Sequence, residues 1–194
     1  MGKRKDKGKP TVESIEAELK RVKYRRRYIN VIRSTIYTLI TVAAVAALVA
    51  TLWMPVLQIH GSSMSPTVEN GDVLVTVKGG QFNSGDVIAF YYNNKILVKR
   101  VIATPGDWVD IDENGNVSVN GVLLDEPYIK EKAFGDCDLE LPYQVPAAKL
   151  FVLGDQRSVS VDSRSSQIGC VADDQIVGKI VFRLWPIPSI GTVG

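Results

Sequence analysis

The chain has few of the residues that most metal sites and acid–base catalysts use, namely histidine and cysteine. Its 194 residues include one histidine, His60, and two cysteines, Cys137 and Cys170. A single histidine excludes a His-rich metal site. It also means that His60 is the one residue that could serve as the base of a histidine-containing catalytic triad. Two cysteines without a CxxC pair are too few for a disulfide scaffold or a zinc knuckle. We therefore expect no metal and no cofactor, so any acid–base chemistry must use carboxylates, lysine, tyrosine or the one imidazole.

One long stretch has no charge, no glycine and no proline. It covers the nineteen residues 36–54, which as a helix would span roughly 28 Å, close to the hydrocarbon core of a bilayer. Tyr37 and Trp53 lie near its ends, where aromatic rings favour the interface. A buried core helix and a cleavable signal peptide are the alternatives. The run is not amphipathic and has no small-residue exit, so we predict an uncleaved transmembrane helix over residues 34–54.

Charge is distributed unevenly along the chain. The net charge of +2 hides twelve basic and four acidic residues in 1–33, whereas the remainder carries a net charge of −6. Basic flanks stay cytoplasmic. We therefore expect a single-pass protein of the cell membrane with residues 1–33 cytoplasmic and partly helical, and with residues 55–194 extracytoplasmic. The basic run Lys20–Arg27 is interpreted as a contact with anionic lipid, so the bilayer is an expected partner and nucleic acid is not.

Local patterns predict how the two parts fold. Residues 11–30 have helix-forming composition and are expected to continue into the span, with a start at Pro10 and Thr11 and an end at Pro55. The rest alternates short apolar runs with turn signals such as Asn93-Asn94 and Asn120-Gly121, which is typical of a mainly β domain, closed or nearly closed. The predicted strands are 72–78, 86–92, 95–103, 108–112, 117–119, 150–153 and 176–185.

Two segments invite a chemical interpretation. Residues 61–67 place serines in a small-residue turn, which alone is weak evidence because such stretches are mostly loops. Residues 96–102 place Lys99 and Arg100 inside an apolar strand, where alternation points one of them toward the packed face. An edge-strand lysine that discourages aggregation is the ordinary explanation. The alternative is a lysine desolvated until its pKa falls toward neutrality, which makes it a general base for a serine hydroxyl.

Five motifs in order carry a family resemblance. They are Ser-Met-x-Pro-Thr at 63–67, Gly-Asp-Val-Ile-Ala-Phe at 85–90, Lys-Arg-Val-Ile-x-x-Pro-Gly-Asp at 99–107, Gly-Asp-x-Arg-x-x-Ser-x-Asp-Ser-Arg at 154–164, and the apolar strand at 176–186. Together they resemble the type I signal peptidases of bacteria, in the compact single-span form of Gram-positive species. The resemblance implies a β-barrel or sandwich catalytic domain that follows one N-terminal transmembrane helix.

The resemblance also implies roles for individual residues. Ser63 resembles the nucleophile, Lys99 the general base and Ser160 the accessory serine that orients the lysine. The backbone N–H of Ser63 is the candidate oxyanion donor. Some relatives have a second oxyanion donor, a side-chain hydroxyl two residues before the nucleophile. This chain has Gly61 at that position, so Ser62 or a backbone group would have to substitute. The remaining implied residues support the site by packing or ion pairing: Met64, Asp155, Arg100, Asp162 and Arg164.

The implied function is a serine endopeptidase that removes signal peptides from exported preproteins after an Ala-x-Ala-like site. We expect the small substrate side chains to meet Ile59, Val87 and Ile102. Two other classes remain open: a self-cleaving repressor-type protease, and an inactive or specialised anchored β module with an assembly or adhesion role. The transmembrane run argues against the repressor. The sequence leaves open the oligomeric state and whether Cys137 and Cys170 form a disulfide.

Overall fold

A computed structural model describes residues 12–193. It contains one helix, α1 (Val12–Trp53), which runs without a break from the basic segment into the apolar run. Within the described residues, Ile15–Trp53 is the one helix long and apolar enough to cross a membrane. The continuous helix predicted from composition is therefore confirmed. Its predicted start at Pro10 and Thr11 lies outside the described residues. The chain divides between Val49 and Ala50 into two compact units.

The second unit is mainly β, as predicted. Its larger sheet has the order β1-β2-β11-β3-β4-β9-β10, with β12 paired to β11 and every pairing antiparallel. The strands of this sheet are β1 (Val56–Gln58), β2 (Val73–Val77), β3 (Val87–Tyr92), β4 (Lys95–Ala103), β9 (Lys149–Leu153), β10 (Val171–Ala172), β11 (Ile176–Trp185) and β12 (Gly191–Thr192).

A smaller antiparallel sheet is inserted between β4 and β9. Its order is β7-β6-β5-β8, formed by β5 (Trp108–Ile111), β6 (Val117–Val119), β7 (Val122–Leu123) and β8 (Tyr143–Gln144). The predicted turn at Asn120-Gly121 joins β6 to β7. Both of its residues have positive φ, the conformation that a two-residue hairpin loop requires.

The central strand β4 is buried on both faces over its second half, from Val98 to Ala103. Alternation predicted that one of Lys99 and Arg100 would point toward a packed face. Both side chains are in fact enclosed, at 3% and 2% exposure. The face that carries Arg100 is covered by the ring of Tyr128 and by Asp155, which come from parts of the chain far from β4.

The end of β11 departs from expectation. An apolar strand this close to the core is expected to bury its aromatic side chains, but Phe182 is only half-buried and Trp185 is 53% exposed. The apolar core instead comprises three clusters of buried side chains, represented by Val68, Phe151 and Phe90. The proposed boundaries of the cytoplasmic, transmembrane and extracytoplasmic parts stay predictions.

Candidate active site

Lys99 is the centre of the site. It lies in the middle of β4, opposite Ile88 of β3, and is only 3% exposed. Its Nζ lies 2.8 Å from Oγ of Ser63 and 2.9 Å from Oγ of Ser160. One buried amine therefore joins two hydroxyls that are distant in sequence from β4 and from each other.

Ser63 lies in the turn that follows β1. The turn begins at Gly61, whose φ of 106° is accessible mainly to glycine. The backbone N–H of Gly61 donates to Oδ1 of Asn70 at 3.1 Å, so this N–H is already engaged within the turn. Ser63 itself is half-buried, and the neighbouring Met64 side chain packs into the core at 2% exposure.

Ser160 reaches Lys99 because the chain packs tightly at Gly154. A Cβ on Gly154 would lie 2.1 Å from Oγ of Ser160 and 2.6 Å from the carbonyl oxygen of Ser63. Such contacts are well inside van der Waals distance, so only glycine fits here. Two backbone hydrogen bonds support the approach: the Gln156 N–H donates to the Ser63 carbonyl at 3.0 Å, and the Ser160 N–H donates to the Gln156 carbonyl at 3.1 Å.

The residue after Lys99 anchors the same loop. Arg100 donates from Nε and Nη2 to the two oxygens of Asp155, at 2.9 and 2.8 Å. Such a two-point contact fixes both orientation and distance. Asp155 also accepts a 2.5 Å hydrogen bond from the hydroxyl of Thr67, four residues beyond Ser63. This ion pair therefore links the strand that carries Lys99 to the turn that carries Ser63.

A second buried ion pair closes the loop around Ser160. Arg164 donates from Nε and Nη2 to the Asp162 carboxylate at 2.8 and 2.9 Å. Asp162 in turn accepts from the Gly154 N–H at 3.0 Å, while Arg164 donates to the carbonyls of Phe134 and Arg157. Each charge is thus paired and hydrogen-bonded, as buried charges must be.

The electrostatics of the site make the Lys99 amine easier to deprotonate. Burial lowers the pKa of the Lys99 amine from 10.5 to about 8, since the charged form loses its hydration. The carboxylates of Asp162 and Asp155 act in the opposite direction, and the positive charge of Arg164 adds to the lowering. A buried amine hydrogen-bonded to a serine hydroxyl can accept the proton of that hydroxyl.

A cleft of about 140 Å³ opens beside the serine. It is lined by β1 and the turn after it on one side and by β4 on the other: Leu57, Gln58, Ile59, His60, Gly61, Ser63, Met64, Ile96, Leu97 and Val98. Ile59 lines the cleft as expected. Val87 and Ile102 are not among the lining residues, and both side chains are buried at 1% exposure.

The histidine and the cysteines take no part in the Lys99 contacts described above. His60 is exposed in the loop after β1 and lines the cleft. Cys137 and Cys170 are both free thiols of intermediate burial, so the structure contains no bond between them. The serine and lysine are therefore the pair that the fold brings into contact.

Sequence patterns missed four residues that support the site. Thr67 and Arg157 fell inside recognised motifs but received no role. Glu126 and Tyr128 carried no signal, because their contacts are with side chains far along the chain. Glu126 lies 2.5 Å from Arg157, 31 residues away, and the Tyr128 ring lies 3.9 Å from the guanidinium carbon of Arg100.

Comparisons with known proteins agree with the motifs. The family model described as "Signal peptidase, peptidase S26" matches residues 32–185. Signal peptidase IB of Staphylococcus aureus strain COL is 42% identical over 149 residues, which cover 66% of this chain and 76% of that protein. Signal peptidase I of Bacillus caldolyticus is 42% identical over 144 residues, which cover 66% of this chain and 78% of that protein.

A solved structure is also similar. The crystal structure of a signal peptidase I from Enterococcus faecalis V583 is 28% identical to this chain. The match covers 52% of this chain and 97% of that one, with a TM-score of 0.44.

Proposed function

The chain belongs to the signal peptidase family, peptidase S26, and on that premise we propose that it is a membrane-anchored serine endopeptidase that removes signal peptides from exported preproteins with a Ser63–Lys99 dyad. The observation that carries the dyad is the buried Lys99 amine, hydrogen-bonded to Ser63 at 2.8 Å and to Ser160 at 2.9 Å. The lowered pKa of Lys99 leaves a usable fraction of neutral amine near neutral pH.

Acylation follows from this geometry. The neutral Lys99 amine takes the proton from Ser63 Oγ as the oxygen attacks the scissile carbonyl, and the Ser63 N–H stabilises the resulting oxyanion. When the tetrahedral intermediate collapses, the C–N bond breaks and Lys99 returns the proton to the leaving amine. The signal peptide remains attached to Ser63 as an ester.

Deacylation uses the same amine again. Lys99 removes a proton from water, the hydroxide attacks the ester carbonyl, and Ser63 leaves with the proton restored. Ser160 holds the direction of the amine throughout, since its hydroxyl accepts a second hydrogen bond from Lys99 Nζ at 2.9 Å. Lysine thereby performs the proton transfers that histidine performs in the common triad.

The cleft suggests how a substrate is held. An extended segment that enters between β1 and Ile96–Val98 can hydrogen-bond to strand backbone, which gives affinity with little side-chain specificity. The modest cleft volume of about 140 Å³ favours small side chains such as alanine. Ser63 follows the apolar run by nine residues, within reach of a cleavage site that emerges from the bilayer.

The proposal is tested with the full-length protein in detergent and a preprotein that ends its signal peptide in Ala-x-Ala. We expect one new N-terminus directly after the motif, identified by mass spectrometry. Leucine in place of the last alanine is expected to slow cleavage strongly, because a cleft of about 140 Å³ favours a smaller side chain. Ser63→Ala is expected to be inactive. Absence of cleavage by the wild-type chain, with a folded β domain, would support the inactive anchored module instead.

A further inference from the structure

Two buried ion pairs that flank the candidate site are joined by one tyrosine. Arg100 pairs with Asp155 at 2.8 Å, and Arg157 pairs with Glu126 at 2.5 Å. The ring of Tyr128 packs on the Arg100 guanidinium, and its hydroxyl donates to Oε1 of Glu126 at 3.0 Å. Tyr128 therefore contacts one member of each pair, and both it and Glu126 come from the segment between β7 and β8.

Both ion pairs hold the loop that carries Ser160. Asp155 and Arg157 are the neighbours of Gln156, whose N–H donates to the Ser63 carbonyl and whose carbonyl accepts from the Ser160 N–H. Arg157 also donates from Nε to the Gly154 carbonyl at 3.1 Å. A shift of this loop would thus move Ser160 and the Ser63 backbone together, and the hydroxyls of both serines bond to Lys99.

Burial makes these contacts strong and mutually dependent. The side chains of Glu126 and Arg157 are 0% and 1% exposed, so loss of either partner would leave a buried charge uncompensated. Burial raises the pKa of the Tyr128 hydroxyl, and the Glu126 carboxylate adds to this effect. The hydroxyl therefore remains a proton donor to Glu126 across the working pH range.

We propose that Tyr128 and Glu126 are positioning residues, which hold the Gly154–Ser160 loop so that Ser160 keeps the Lys99 amine directed at Ser63. Neither residue contacts the reacting atoms; both act through Arg100, Asp155 and Arg157. The inference rests on the proposed Ser63–Lys99 chemistry. It gives the connection between β7 and β8 a role in catalysis that the five sequence motifs do not include.

The test compares Tyr128→Phe with Tyr92→Phe. The first keeps the ring on Arg100 and removes only the hydroxyl, whereas the second removes a hydroxyl that bonds to the Gln167 carbonyl at 2.8 Å, outside the contacts of Lys99. We expect Tyr128→Phe to lower kcat about tenfold, the worth of one buried hydrogen bond, with KM within about twofold of wild type. Tyr92→Phe is expected to keep the wild-type kcat.

A second readout does not depend on cleavage. The titration of the Lys99 amine is followed by NMR with ¹³Cε-labelled lysine, with Lys99→Arg to assign the signal. Tyr128→Phe and Glu126→Gln are expected to move the midpoint to higher pH, because a loosened loop admits water to the amine. A lower melting temperature with an unchanged Lys99 midpoint would overturn the inference, since it indicates only a structural role.

The two proposals can fail separately. If the wild-type protein does not cleave a preprotein, the proposed function fails, while the titration of Lys99 still decides the positioning role.

Discussion

The Lys99 amine and the Ser63 hydroxyl lie 2.8 Å apart although 36 residues separate them in the sequence. The contact exists because the turn after β1 packs over the buried half of β4. Ser160 approaches the same amine at 2.9 Å from the loop after β9. Three segments of the chain therefore supply the groups of one proposed proton-transfer site: the turn after β1, the strand β4 and the loop after β9.

Replacement of Ser160 by alanine removes one of the two hydroxyls that hold the Lys99 amine. We expect kcat to fall by roughly 10- to 100-fold, because the amine keeps its contact with Ser63 but loses its fixed direction. KM is expected to change little. Steady-state kinetics on a preprotein, with Ser158→Ala as an exposed control in the same loop, measures the effect. Equal rates for the two variants would contradict the role of Ser160.

The pH profile of cleavage reports the protonation of Lys99. Burial lowers the pKa of Lys99 to about 8, and only the neutral amine accepts the serine proton. Activity is therefore expected to rise with pH and to level off above that value. The measurement is kcat/KM between about pH 6 and 10, because this parameter follows the free enzyme. A profile that falls steadily through this range would exclude Lys99 as the base.

Substitution of Gly154 tests whether the close packing of the Gly154–Ser160 loop is needed for activity. In Gly154→Ala the new Cβ would lie 2.1 Å from Ser160 Oγ, so Ser160 must move away from Lys99. Gly191→Ala is the matched control, since its Cβ meets nothing within 4 Å. We expect Gly154→Ala to lose most of its activity and Gly191→Ala to keep it. Activity assays on both variants, normalised to folded protein, provide the comparison.

The buried ion pair of Asp162 and Arg164 predicts a stability effect. Asp162→Ala leaves the Arg164 guanidinium buried without its counter-charge, which costs about 3–5 kcal/mol of unfolding free energy. Lys179 and Asp86 form the control pair, because the Lys179 side chain is 41% exposed and such pairs contribute about 0–1 kcal/mol. Denaturant unfolding of Asp162→Ala and Lys179→Ala measures both. Equal losses would show that burial does not set the cost.

The proposed orientation is tested with the native thiols. Cys137 and Cys170 are free and partly exposed on the β domain, so a membrane-impermeant maleimide should label them in intact cells. A variant with both cysteines replaced by serine and with Lys20→Cys should react only after the cells are opened. The reverse pattern would place the basic segment outside.

Sequence patterns predicted the local structure well and the long-range contacts only in part. The limits of β4 were predicted at the correct residues, since an alternating apolar run between turn signals defines a strand. The very short strands β1, β7, β8, β10 and β12 were missed, because two or three residues carry little periodicity. Ser63, Lys99 and Ser160 were proposed from the family resemblance, because each lies within one of the short motifs that carry it.

The contacts of the residues that support the site could not be predicted from the sequence. Nothing near Tyr128 indicates that its ring covers Arg100, since that contact depends on how the connection between β7 and β8 folds back. The same contact explains why both Lys99 and Arg100 are buried, although alternation predicted a packed face for one of them: segments that local patterns do not place cover the second face of β4.

The most direct test of the account is single-turnover cleavage of a preprotein by Lys99→Ala. The enzyme must be folded, as shown by a cooperative thermal transition, and the preprotein must be cut by wild type after its Ala-x-Ala motif. We expect the rate to fall by about 10⁴-fold or more, as when the general base of a serine protease is removed. A rate within about tenfold of wild type would contradict the dyad, because so small a loss is less than a missing general base produces.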